Sequence, residues 1–97
     1  MVTYAIFDID WHDQSRAKEY REKFGPALEK YGGKTLCAGT PQVIEGNWKP
    51  SRVVILQFPN SEAFRTWYAS PEFAPVLQLR RDGATTHTVT LVEGAPG

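Results

Sequence analysis

One cysteine, Cys37, stands in 97 residues. That excludes an intrachain disulfide framework and suits a reducing compartment. Set between Leu36 and Ala38, the thiol is expected to be a buried spectator. Net charge is missing as well, because eleven basic and eleven acidic residues cancel. No long-range field is left to draw in nucleic acid or an anionic membrane. No apolar run approaches the roughly 20 residues that a membrane span needs. The first residues hold no basic segment followed by an apolar one, as a secretory signal would. A cytoplasmic protein that binds neither nucleic acid nor membrane is therefore expected. Also absent are a Ser-His-Asp arrangement, a phosphate-cradling glycine loop and a dinucleotide fingerprint, and no cofactor is expected.

What is present reads as one domain with a thin core. The apolar share is 41% and the charged share 23%, ordinary for a globular chain. A chain of this length buries only roughly 60–65% of its unfolded surface, so a partner subunit would relieve it. Only residues 94–97 are expected to form a flexible tail.

"TYAIFDIDW" (3–11) alternates as a first strand, with Ala5, Phe7, Ile9 and Trp11 on one face. Asp13 or Ser15 caps a helix in which Ala17, Tyr20, Phe24, Ala27, Leu28 and Tyr31 recur at helical spacing. Pro26 should kink it, and Gly32-Gly33 should stop it. "KTLCAG" and "QVIEG" read as one interrupted second strand, or a strand with a bulge, ending near Gly46. "RVVILQF" (52–58) is the third strand. Asn60 or Ser61 caps a second helix with Ala63, Phe64, Trp67 and Tyr68 inward, and Ser70-Pro71 restarts it. "TTHTVTLVEG" (85–94) is the fourth strand.

The order β-α-β-β-α-β predicts a ferredoxin-like α+β fold: a four-stranded antiparallel sheet with two helical segments on one face. Strands one and three are expected at the centre as a parallel pair. Helices shelter one face only, and the other carries Tyr4, Ile6, Val53, Ile55 and Val92. A patch of that size predicts a homodimer closed through the sheet face.

Several stretches carry a family resemblance: "EKYGGKTL", the Glu-Gly-x-Trp-x-Pro-x-Arg run of 45–52 leading into "VVILQFP", "SEAF-TWYASPEFAPV" and the closing "VEG". Together they resemble the domain-of-unknown-function 1330 family, over nearly the whole chain. The resemblance implies a dimeric α/β-barrel protein with a cleft between sheet and helices. It implies no reaction. Superfamily relatives include small monooxygenases, heme-degrading enzymes and muconolactone-type isomerases, which bear on this chain by fold analogy only.

Arg52, at the mouth of the most apolar strand, is the first ligand-binding candidate. It is read either as the rim partner of Glu45 or as a fork for a carboxylate. Tyr20, Trp67 and Tyr68 supply aromatic faces with polar tips, as a small-molecule site or simple helix packing would. His12 and His87 are the catalytic candidates, since a histidine shuttles protons near neutral pH. With strands one and three parallel, Arg52 falls at the opposite end of the sheet from both histidines. Asp8, Asp10, His12 and Asp13 have the composition of a metal loop, but no second ligand cluster matches them, and no metal is expected. "RVVILQF" lacks the glycines and exposed aromatics of an RNA-reading strand. The leading expectation is a cleft for a small organic acid or aromatic compound, with cofactor-independent isomerisation or oxygenation as the chemistry. The alternative is a non-enzymatic ligand-binding, regulatory or structural dimer.

Overall fold

Thr3, Ala5, Phe7 and Ile9 are all buried, and the residues between them mostly are not, which is the signature of a strand covered on one face. A computed structural model describes residues 1–95. It places that strand as β1 (Thr3–Trp11), followed by α1 (Gln14–Lys30), β2 (Lys34–Gly39), β3 (Val53–Phe58), α2 (Ser61–Tyr68), α3 (Ala74–Gly83) and β4 (Ala84–Glu93). The strands form one antiparallel sheet in the order β2-β3-β1-β4. This is the ferredoxin-like arrangement with its helices on one face.

The central pair corrects one expectation. β1 and β3 run antiparallel, with Asp8 opposite Val53 and Thr3 opposite Phe58. In a split β-α-β unit the parallel strands are the first and second, and the third slips between them in the opposite sense. Arg52 therefore lies at the end of β1, where its carbonyl accepts the Ile9 N–H at 3.0 Å. Arg52, His12 and His87 belong to the same end of the sheet.

Local chemistry explains the element ends. Asp13 caps α1 by accepting the N–H groups of Ser15 and Arg16 at 3.0 and 3.1 Å. The helix runs through Pro26 to Lys30, and Gly32 turns the chain with φ +81°. Gly33 is buried, and a side chain there would overlap Leu28 and the Phe58 ring. Asn60 caps α2 by accepting the Ala63 N–H at 2.8 Å. Ser70 Oγ accepts the Phe73 N–H at 3.2 Å across the turn that leads into α3. β2 stops at Gly39, and 40–52 is irregular, so "QVIEG" is not strand. Its polar and turn-forming surroundings find no neighbour to pair with. Gly94 is buried and donates its N–H to the Val2 carbonyl at 2.8 Å. The remainder of the expected tail, 96–97, lies outside the described residues.

α1 and α3 pack on each other and are latched by Glu72. That carboxylate takes Lys30 Nζ and, at 2.8 Å, the Tyr31 hydroxyl. The ammonium and the hydroxyl hold Glu72 down to about 2. The Ser15 hydroxyl and the Arg16 N–H hold Asp13 down to about 2 as well. Folded values below the unfolded ones mean stability that is complete above the ordinary carboxylate range and lost as pH falls. Thermal midpoints should therefore drop as pH is lowered from about 4.5 to 2. Glu72→Gln and Asp13→Asn should each flatten that slope in a differential scanning series. A slope unchanged in both variants would contradict these assignments.

The sheet face away from the helices is apolar at its centre. Register places Cys37, Ile55, Ile6 and Thr90 in one row across it. Cys37 is exposed, not buried, because β2 is an edge strand and its open face meets no helix.

Candidate functional site

Between α1 and the sheet lies a cavity of about 210 Å³. For scale, a cavity of roughly 150 Å³ suffices to admit benzene. Its walls come from Phe7, Ile9 and Trp11 of β1, Thr35 and Ala38 of β2, Val54 of β3, and Tyr20, Arg21 and Phe24 of α1, with Arg52 added just before β3. The Tyr20 ring is held between Trp11 and Phe24, at centroid separations of 5.1 and 5.2 Å.

The charge pattern is one-sided. Arg21 and Arg52 are exposed, and no carboxylate stands among the lining residues. Among the described residues the ion pairs are Arg16–Asp13, Lys23–Glu19 and Lys30–Glu72. Glu45 is not the partner expected for Arg52. It sits in the irregular 40–52 segment, not on a strand that would bring it across the turn.

Behind the cavity lies a third arginine, which the sequence did not single out. Arg80 of α3 is only 2% exposed and has no carboxylate partner among the described residues. Its Nη2 donates to the Tyr68 hydroxyl at 2.7 Å, and its Nη1 to the Tyr20 hydroxyl at 3.4 Å. The guanidinium stands 5.3 Å from the Phe7 ring centroid and 5.8 Å from that of Tyr68. Its Nε is buried without a partner, as is Trp67 Nε1. Taking an ion out of water costs several kcal/mol. Cation–π contacts and hydroxyl acceptors offset part of that here. Burial pushes the Tyr20 hydroxyl up to about 12, against the opposing pull of the Arg80 charge. A signal was present in the sequence: Phe73, Val76, Leu77 and Arg80 follow one helical stripe, so a cation occupies a core position.

The remaining candidates fall elsewhere. Trp67 is fully buried in the aromatic core, and Tyr68 engages Arg80; neither lines the cavity. His12 bonds the Thr85 hydroxyl at 2.7 Å on the exposed rim. His87 is exposed and is the extra residue of a bulge, since the register passes from Asp8 opposite Thr88 to Ile9 opposite Thr86. Neither histidine reaches the cavity wall. Asp8 is buried and accepts the Ser51 N–H at 3.0 Å, which tethers the segment before Arg52 to β1. Among the described residues no group of three or more His, Cys, Asp or Glu side chains could hold a metal ion.

The family model of a domain of unknown function (DUF1330) matches residues 2–95. No curated protein matches the chain. Solved structures that it resembles share its fold at low identity. A protein of unknown function from Rhodopseudomonas palustris is 15% identical, with a TM-score of 0.78 over 99% of this chain and 84% of the other. SnoaB, a cofactor-independent oxygenase from Streptomyces nogalater, is 18% identical, with a TM-score of 0.67 over 99% and 94%. A dimeric ferredoxin-like protein of unknown function from Thermobifida fusca is 13% identical, with a TM-score of 0.61 over 95% and 88%.

Proposed function

The chain belongs to the DUF1330 family, and we propose that this member is a homodimeric protein binding a small anionic aromatic or carbonyl compound in the cleft between α1 and the sheet. The observation that carries this is an aromatic-walled cavity edged by Arg21 and Arg52 and lacking any carboxylate. An apolar body with a few convergent polar groups is the form of a small-molecule site. A guanidinium fork matches a carboxylate in two parallel hydrogen bonds. Tyr20 and Phe24 pack the ring of the ligand, and Arg52 holds its anionic end.

Any chemistry here is constrained by the absence of histidine and carboxylate from the cavity wall. A site without a protein base works best on a substrate already present as its anion. Cofactor-independent isomerisation or oxygenation of such a compound fits that limit, and SnoaB is a cofactor-independent oxygenase on a similar fold. The same missing base favours the second reading, a ligand-binding or regulatory module without turnover.

Benzoate is a suitable first probe, followed by calorimetry or thermal shift. Loss of one charge-assisted contact is worth about 1.5 kcal/mol or more, so Arg52→Ala should weaken benzoate binding roughly tenfold. Equal binding by wild type and variant would remove Arg52 from the site. Oxygen consumption or spectral change on a panel of hydroxyaromatic acids separates enzyme from binder.

A further inference from the structure

Arg80 is a buried cation for which the fold supplies no anion. Two neutral hydroxyls and two aromatic rings receive it, and its Nε receives nothing. Two of those neighbours, Phe7 and Tyr20, are also walls of the cavity. The guanidinium therefore stands one side chain's thickness behind the ligand space. A tyrosine hydroxyl has one proton to give and two lone pairs to receive. Arg80 Nη1 occupies one lone pair of Tyr20. The Tyr20 proton has no acceptor among the described residues and is free for a ligand. The charged side chains of the wall are Arg21 from α1 and Arg52 ahead of β3, with Thr35 of β2 as a further polar group; no carboxylate lines it, and Arg80 of α3 stands behind Tyr20.

We propose that Tyr20, backed by Arg80, is an oxyanion-holding donor and that the ligand class is the ionised form of a phenol or enol, whose oxygen meets the Tyr20 hydroxyl while a second polar group meets Arg52. The ligand brings the negative charge that the fold omits. Tyr20 is the contacting residue, and Arg80 is a positioning residue that acts through it. The inference rests on the cleft being a ligand site and adds the identity of the group at its inner end. Preorganised donors in a dry, low-dielectric pocket favour an oxyanion over its neutral acid far more than water does.

The test uses p-nitrophenol, whose phenolate absorbs in the visible, clear of the protein. The bound probe is titrated by absorbance, and benzoate binding is measured alongside. The wild-type protein should bind the phenolate at least tenfold tighter than the phenol, so the bound probe ionises at least one pH unit below the free probe. Tyr20→Phe should abolish that displacement while retaining benzoate binding. Arg80→Lys, which keeps a charge but loses the fork, should reduce it, and it stands in should Tyr20→Phe fail to fold. Glu72→Gln, which loosens the α1–α3 latch without touching the cavity, should leave the displacement intact. A probe bound equally in both forms, or a displacement that survives in Tyr20→Phe or is undiminished in Arg80→Lys, overturns the inference while the benzoate result keeps the cleft. Failure of wild type to bind either compound overturns both.

Discussion

Trp67→Ala should come close to unfolding the domain at room temperature. The indole is fully buried and meets six aromatic rings: Phe73 at 4.2 Å, Phe58 at 5.4, Phe24 at 5.5, Phe64 at 5.6, Tyr68 at 5.9 and Phe7 at 6.4. These come from every layer: β1, β3, α1, α2 and the turn into α3. Truncating a core tryptophan costs about 3–5 kcal/mol, because the shell collapses only partly into the void. A domain of this size is stable by about 5–15 kcal/mol in all. The thermal midpoint should fall by roughly 15–30 °C, at about 4–8 °C per kcal/mol for a chain of this length. Trp67→Phe should cost much less than its lost area suggests, since it also deletes the unpartnered Nε1 donor. Urea and thermal denaturation followed by circular dichroism measure both variants. A midpoint change of only a few degrees for the alanine variant would show that the aromatic cluster is not what holds the layers together.

Much of that architecture was legible from residue order. Alternation at 3–11 located β1 because one face is helix-covered and its residues after Thr3 are apolar. Apolar spacing located α1, and Ser70-Pro71-Glu72-Phe73 marked the passage into α3. The two residues after the proline act separately, since Glu72 latches α1 and Phe73 is fully buried against Trp67. The serine hydroxyl before the proline closes the turn. Strand sense was legible too, because in the split unit that the element order predicts the first and third strands run in opposite senses; the parallel pair did not follow from it. Residues 42–46 carried a strand-like composition, but a strand exists only where a neighbour accepts its backbone bonds. Cys37 was misjudged for the same reason, since an apolar sequence neighbourhood does not say which face of an edge strand is covered. At the site, Tyr20 and Arg52 could be singled out individually as an aromatic with a polar tip and as an arginine opening an apolar strand. Arg80 was not, because a charged residue on an apolar stripe is ordinarily dismissed as a snorkelling surface group. Its meaning lies in the missing carboxylate, which is a property of three-dimensional neighbours.

Ile55→Asp should convert the protein from dimer to monomer with little loss of protomer structure. Ile6 and Ile55 are directly opposed across the central strand pair, so they form the middle of the uncovered face. Tyr4, Val53 and Val92 surround them, and Val92 is 47% exposed in the single protomer. The segment between β2 and β3 exposes further large apolar side chains, Ile44 at 88% and Trp48 at 53%. A specific interface buries about 800 Å² per partner. Two sheets closing about a twofold axis bring the centre of each face near the other. An aspartate there would be desolvated opposite its symmetry mate, a penalty no rim contact recovers. The protomer itself should tolerate the change, because that face meets water when the partner is gone. Sedimentation at micromolar concentration should give twice the chain mass for wild type and the single chain mass for Ile55→Asp, with the thermal midpoint of the variant independent of concentration. Ile44→Ser should weaken the dimer less, being on the segment and not at the centre. A monomeric wild type would mean that the apolar row of Cys37, Ile55, Ile6 and Thr90 is served by something other than a second copy.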